Sequence, residues 1–267
     1  MEKFKKAIKT VFIIMAFVFA NVVIDIIASA CLPSLAAKII DGDVLKASDY
    51  IVYSLLFGQL IKLTILYFYI GKRDKTYRRE LDRRYIQNEK ISNPLIFVGI
   101  GLGTVGFGQL LVNIIMKLME GTRLLTQALE LIENAFKAST TLDGIIVLIV
   151  VMIGAPIVEE LLFRGVLFEE IRRVCSLKIT VFLTALVFGI YHFNILQSSN
   201  AFFLGLVLAF VYYRAKSIKG PIIIHATNNI LAMIPFIDHG LSPIGLCIYG
   251  TLLIIGIYSL KTLGQKA

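Results

Sequence analysis

The chain has 267 residues, of which 57% are hydrophobic, and its mean hydropathy is +0.81. Soluble domains contain roughly 45–50% apolar residues, so this composition excludes a soluble globular protein and indicates a multi-pass membrane protein. The net charge of +9 does not indicate nucleic acid as a partner, because the basic residues cluster in short segments beside the apolar runs.

Eight apolar runs are candidates for membrane-spanning helices, each of which needs about 20 residues. In chain order they are 11–32, 50–70, 94–116, 144–164, 178–196, 200–213, 220–237 and 243–260, and the sixth is short. These runs account for most of the chain. We therefore expect an all-α, polytopic membrane helix bundle of about eight transmembrane helices, which forms a single integral membrane domain over residues 1–267.

Lysine and arginine are distributed unevenly between the connections. The N-terminus, the second connection at 71–90 and the segments after spans four, six and eight are basic, whereas the other connections are poor in basic residues. Basic connections stay in the cytoplasm, so the sequence predicts that both termini and residues 72–90 are cytoplasmic.

The first two spans each contain or adjoin a charged residue, Asp25 and Lys62. Such residues fit either a transporter or a structural role, in which the two side chains pair with each other or reach an interface. No inverted repeat is visible, which disfavours a typical secondary transporter. We favour the structural interpretation.

The third span is rich in glycine, and residues 101–106 match a dinucleotide-binding pattern by letters alone. That pattern requires a strand before it and a helix after it, and here it lies inside a membrane span. Gly99 and Gly103 form a GxxxG step, which predicts close helix packing instead. The next segment, 122–137, is either an amphipathic helix on the outer surface or a solvated connector.

The fourth span ends with Glu159, Glu160 and Arg164. Ionisable side chains at membrane depth are costly and indicate a functional site. On a helix Glu160 and Arg164 share a face and form an ion pair, while Glu159 points about 100° away. The structural alternative is a hydrated helix end at the cytoplasmic interface.

Further polar residues lie in the later spans. Span five carries Phe188 and His192, and span seven carries His225, Asn228 and Asn229. Spans four and five are predicted to be antiparallel, and Glu159 lies 16 residues before Cys175 while His192 lies 17 residues after it. Glu159 and His192 are therefore predicted to lie at similar depth and to face one cavity, which we expect to open toward the cytoplasm.

The three motifs, EExxxR at 159–164, FxxxH at 188–192 and HxxxN at 225–229, follow one another along the chain on predicted spans four, five and seven. In this order they resemble the CPBP family of intramembrane endopeptidases, also called Abi or type II CAAX proteases and related to the Rce1 protease. The matching core covers 142–229, and the first 140 residues match only as apolar spans.

The resemblance implies a role for each residue. Glu159 would be the general base that activates a water, His192 would hold that water or shuttle its proton, and His225 and Asn229 would stabilise the oxyanion. Glu160 and Arg164 would be a supporting pair, Phe188 would pack beneath His192, and Asn228 is a further neighbour. The substrate implied is a membrane-embedded or lipid-anchored peptide or protein, with functions such as peptide maturation or bacteriocin self-immunity.

Two alternatives remain open at this point. The first is a metal-dependent protease, since two carboxylates and two histidines would suit zinc, although no HExxH-type pair is present. The second is a non-catalytic immunity protein, partner protein or transporter that uses the same polar residues for binding or for a proton path. We expect a glutamic peptidase with no cofactor, embedded in the lipid bilayer of the cell membrane.

Overall fold

The computed structural model describes residues 2–85, 93–135, 140–234 and 237–266, and over these residues it is built of helices joined by turns, with no strand. Six helical segments are long and apolar enough to cross a membrane, with mean hydropathy between 1.7 and 2.7. Large apolar side chains cover much of the outer surface, among them Phe12, Phe19, Ile254 and Tyr258. The predicted all-α polytopic membrane fold is confirmed.

The described residues contain twelve α-helices. They are α1 (Glu2–Ile26), α2 (Leu32–Ile40), α3 (Ile51–Tyr85), α4 (Pro94–Leu118), α5 (Arg123–Ala135), α6 (Thr141–Ile149), α7 (Ala155–Glu160), α8 (Glu169–Arg172), α9 (Leu177–Ile190), α10 (Ile195–Ala215), α11 (Lys219–Ala232) and α12 (Pro243–Lys266). Three π-helical turns, Ile27–Cys31, Val150–Gly154 and Leu161–Phe168, join neighbouring helices into longer rods.

Several helices differ in length from the predicted spans. The sixth span, expected to be short, is the 21-residue α10, whereas α9 and α11, in spans five and seven, have 14 residues each. At 1.5 Å per residue these two extend about 21 Å, less than the roughly 30 Å of a bilayer core. The predicted connection 71–90 instead continues α3 as a helix to Tyr85, because its lysine, arginine and glutamate residues are good helix formers. Lys90 lies outside the described residues.

The chain divides into two compact units, residues 1–76 with 134–174 and residues 77–133 with 175–267. Each unit is described by itself below, and the single domain over 1–267 stays a prediction. The first unit contains the EExxxR motif, and the second contains the FxxxH and HxxxN motifs.

The first unit pairs the charged residues of the first two spans. Lys62 on α3 donates to Asp25 on α1 with an N–O distance of 2.6 Å, and the lysine side chain is only 4% exposed. The predicted structural pairing is therefore confirmed. A π-helical turn, Ile27–Cys31, connects α1 to α2, and Pro33 lies in the first turn of α2, where the missing amide hydrogen of proline is tolerated.

The second unit is held together by the glycines of α4. A β carbon on Gly103 would lie 2.5 Å from the Cα of Gly256 on α12, and one on Gly106 would lie 2.5 Å from the carbonyl oxygen of Tyr249. Gly99 packs in the same way on Ser259. Only glycine permits backbones to approach this closely, so the predicted packing role of the GxxxG step is confirmed.

The amphipathic segment forms α5 within this second unit. Its inner face buries Ala128, and its outer face exposes Leu124 and Leu131. Phe136 and Lys137, which end the predicted segment, lie outside the described residues. Whether α5 lies on the membrane surface stays a prediction.

The connection between α11 and α12 is fixed to α4 by one carboxylate. Asp238 accepts hydrogen bonds from the Asn113 amide (3.2 Å), the Tyr249 hydroxyl (3.1 Å) and the Gly240 backbone (3.1 Å). Burial would raise the pKa of Asp238, but these hydrogen bonds outweigh it and hold the pKa below its usual value.

Candidate active site

The EExxxR motif lies where the fourth span changes its helical geometry. A π-helical turn at Val150–Gly154 precedes Pro156, which lacks an amide hydrogen, and α7 then carries Glu159 and Glu160. The next eight residues, Leu161–Phe168, form a longer π-helical segment that contains Arg164. Such segments are frequent at functional sites because they change the rotation of the residues on either side.

Glu160 and Arg164 form a fully buried ion pair. The guanidinium Nη1 lies 3.0 Å from the Glu160 Oε1, and neither side chain is exposed. Removing one partner from such a pair costs about 3–5 kcal/mol, because the other charge stays buried without compensation. The predicted ion pair is confirmed. The hydrated helix end is wrong for Glu160 and Arg164, whereas the adjacent Glu159 is only half-buried.

In the second unit the ring of Phe188 connects the two histidine motifs. Its centroid lies 5.1 Å from that of His192 and 5.6 Å from that of His225, both edge to face. Phe188 is fully buried against α10, where Gly205 leaves space for its ring. The predicted packing of Phe188 against His192 is thus observed, and the same ring also contacts the second histidine.

His192 was predicted to lie within a helix, and this prediction is wrong. The α9 helix ends at Ile190, and His192 lies in the turn that follows. Phe193 adopts a left-handed backbone conformation with a φ of 50°, which prevents the helix from continuing. The predicted span 178–196 therefore breaks here, and α10 begins at Ile195.

The hydrogen bond of His192 determines which ring nitrogen carries the proton. Its Nδ1 lies 2.9 Å from the carbonyl oxygen of Phe188. A carbonyl oxygen only accepts, so Nδ1 is the donor and the Nε2 of the neutral ring keeps its lone pair. In this tautomer Nε2 is the ring nitrogen that can accept a hydrogen bond from water.

The HxxxN motif lies on α11. His225 and Asn228 are buried, with 3% and 4% exposure, and Asn229 is half-buried. His225 and Asn229 are four residues apart, so both project from the same helix face. The second unit therefore places His192 and His225 around one aromatic ring, and the approach of Glu159 to these histidines stays a prediction.

Asn194 is a positioning residue that the sequence interpretation missed. Its side-chain oxygen accepts from the Leu196 and Gln197 amides at 3.0 and 3.3 Å, and its amide donates to the Ala128 carbonyl at 2.8 Å. The buried side chain therefore starts α10 and ties α5 to the turn that carries His192. An asparagine just before an apolar run is an N-cap signal that the sequence does contain.

Neither unit by itself contains, among its described residues, a group of three or more histidine, cysteine, aspartate or glutamate side chains arranged to hold a metal ion. The residues that would suit zinc, Glu159, His192 and His225, belong to different units.

Comparison with known proteins identifies the segment that carries all three motifs. Residues 141–231 match the model of a family described as type II CAAX prenyl endopeptidase Rce1-like. This segment, about a third of the chain, is similar to that family. The bounds agree with the predicted core at 142–229 and enclose every predicted site residue.

A protein of Bacillus subtilis (strain 168) named "Putative membrane peptidase YdiL" is 29% identical over 89 residues. The alignment covers 33% of this chain and 36% of that protein, so it spans about a third of each. No solved structure matches the chain. The matching family and this relative are both named as peptidases.

Proposed function

We propose that this protein is an intramembrane endopeptidase that hydrolyses a peptide bond in a membrane-associated, lipidated or otherwise hydrophobic substrate. The observation that carries the proposal is the Rce1-like match, which encloses Glu159, His192, His225 and Asn229 in one segment. The buried Glu160–Arg164 pair supports it, because a buried pair fixes the helix turn beside Glu159. The site would belong to a multi-pass protein of the cell membrane, with its cavity open to the cytoplasm.

In the proposed reaction Glu159 removes a proton from a water whose oxygen attacks the carbonyl carbon of the scissile bond. His192 holds that water through Nε2, since its Nδ1 is committed to Phe188. His225 and Asn229 donate to the oxyanion of the tetrahedral intermediate. The C–N bond then breaks as the proton carried by Glu159 passes to the leaving amine. No metal or other cofactor takes part in this scheme.

Substitution of Glu159 tests the proposal. The probe is an internally quenched peptide that ends in a farnesylated CAAX-type sequence, presented in proteoliposomes that contain the full-length protein. Glu159→Gln should lower kcat by about 10²–10⁴, the loss expected when a general base is removed. The control is Glu130→Gln, which removes an exposed carboxylate on α5 and should leave kcat unchanged.

Thorough chelation of the wild-type protein separates the mechanisms. Activity that survives chelation supports the glutamate-activated water. Activity that disappears and returns with zinc would support the metal-dependent alternative instead. Cleavage that does not respond to Glu159→Gln would contradict the mechanism, and a wild-type protein that cleaves no hydrophobic or prenylated peptide would favour a non-catalytic membrane partner.

A further inference from the structure

Two residues of α3, which lies outside the matched region 141–231, form hydrogen bonds to the helical segment that follows Glu159 and Glu160. Arg73 is 7% exposed, and its Nη1 donates to the backbone carbonyl of Gly165, the residue directly after Arg164. Tyr69, one turn earlier on the same face of α3, donates its hydroxyl to Glu170 Oε1 at 3.3 Å. All four residues, Tyr69, Arg73, Gly165 and Glu170, belong to the first unit, and we call them the α3 clamp.

Glu170 anchors the far end of this clamp. It is 2% exposed, and its carboxylate also pairs with Arg173, whose Nη1 lies 3.0 Å from Oε1. Its backbone carbonyl accepts from the Thr10 hydroxyl of α1 at 3.5 Å. The helical rod that follows the EExxxR motif is therefore held at two points, Gly165 and Glu170.

The hydrogen bond from Arg73 to Gly165 affects Glu159 because of where Gly165 lies. Gly165 lies inside the π-helical segment Leu161–Phe168. A π-helical turn holds one residue more than an α-helical turn. If this segment changed to α-helical hydrogen bonding, the residues before it, including Glu159, would rotate about the helix axis relative to the residues after it. The rotation would be about one residue position, or roughly 100°. The hydrogen bond from the charged Arg73 guanidinium to the Gly165 carbonyl opposes this change of helical register.

We propose that Arg73, supported by Tyr69 and Glu170, is a positioning residue that maintains the π-helical register of Leu161–Phe168 and thereby sets the direction in which Glu159 points. Arginine suits this task because its planar guanidinium stays charged and presents several donors in a rigid arrangement. The proposal rests on the proposed function only where it concerns cleavage. The register itself is a property of the helix.

The test compares Arg73→Gln and Arg73→Lys with Lys72→Gln in the full-length protein in proteoliposomes. Lys72 is the neighbouring residue, its side chain is exposed and it is not one of the four clamp residues, so its substitution removes the same charge at the adjacent position. With the farnesylated peptide as the probe, Arg73→Gln should lower kcat about 10²-fold and leave KM within about twofold, because the catalytic group is displaced and not the substrate-binding surface. Arg73→Lys should recover part of this loss, and Lys72→Gln should match the wild type.

Hydrogen–deuterium exchange of the peptide covering 159–170 provides a second readout that does not need activity. Arg73→Gln should raise its exchange rate about tenfold, with no change in peptides from α12. Wild-type kcat and wild-type exchange in Arg73→Gln would overturn the proposal. If the wild type cleaves no probe while exchange changes as expected, the proposed function fails and the register role stands.

Tyr69→Phe keeps the proposal testable if Arg73→Gln does not fold. It removes only the hydroxyl that reaches Glu170 and should lower kcat several-fold with KM unchanged. Loss of folding in Arg73→Gln together with wild-type kcat and exchange in Tyr69→Phe and Arg73→Lys would show that the clamp serves stability alone.

Discussion

His192 lies in a turn whose shape depends on Phe193. A non-glycine residue in the left-handed region is strained by about 1–2 kcal/mol, and such strain persists only where the surrounding contacts enforce it. Here the strained residue directly follows a candidate active-site histidine, and its side chain is 71% exposed. The left-handed conformation of Phe193 thus lowers local stability, and it shapes the turn in which the His192 imidazole lies.

We predict that glycine at position 193 is better tolerated than alanine. Phe193→Gly relieves the left-handed strain, whereas Phe193→Ala keeps it, so the free energy of unfolding should favour glycine by about 1 kcal/mol. The control is Phe182 within α9, where glycine should be worse than alanine by about the same amount. Thermal unfolding of the four variants in detergent measures both differences. Alanine equal to or better than glycine at position 193 would show that the turn carries no such strain.

At the scale of helices, packing against glycine orders the second unit. The α4 and α12 backbones meet at Gly103 and Gly256, so no side chain separates them. Because lipid is as apolar as a leucine side chain, such close van der Waals contact is one of the main forces that hold membrane helices together. The same α4 also contacts α11, where the Thr227 side chain, midway between His225 and Asn229, packs on Gly101.

We predict that two glycines of α12 respond in opposite directions to alanine. Gly256→Ala places a methyl group on the Gly103 backbone, and overpacking of this kind costs about 1–3 kcal/mol. Gly250→Ala meets no atom within 4 Å and should stabilise the helix by up to about 1 kcal/mol. Circular dichroism, which needs no tryptophan, follows unfolding in detergent and compares the stabilities of the two variants. Equal stabilities would mean that α4 and α12 are not in close contact.

At the scale of the whole molecule, the charged segments orient the chain in the bilayer. The basic end of α3 after Arg73 (residues 74–85, the α3 extension), the N-terminus and the C-terminus all follow the positive-inside pattern, so we predict that all three are cytoplasmic. The α3 clamp lies next to this extension along the helix, which would place it near the cytoplasmic end of the span.

Cysteine labelling tests this orientation. In a variant whose three native cysteines are replaced, Arg79→Cys should react with a membrane-impermeant maleimide only after the cells are permeabilised. Lys46→Cys, on the predicted outer connection, is the matched control and should react in intact cells. Labelling of position 79 but not position 46 from outside would invert the predicted topology and the direction in which the cavity opens.

Much of this protein is determined by sequence. Apolar runs longer than a bilayer is thick must form helices there, because lipid offers no partner for unpaired backbone groups. The Glu160–Arg164 and Asp25–Lys62 pairs were also predictable, since a charge at membrane depth requires a partner. The three motifs were recognisable because their polar residues stand out against an apolar background, and in their order they resemble the Rce1-like family.

Only the tertiary structure decided the geometry around these residues. The break after Ile190 depends on a left-handed Phe193, which no periodicity signals, and Asn194 acts through the Ala128 carbonyl, 66 residues away in sequence. In the sequence Arg73 is one more basic residue of a connection predicted to be cytoplasmic. Only the structure shows that it is buried against Gly165. Hydrophobic patterning reports the environment of a helix face, whereas these contacts depend on which segments the chain brings together, and that information arises only when the helices pack.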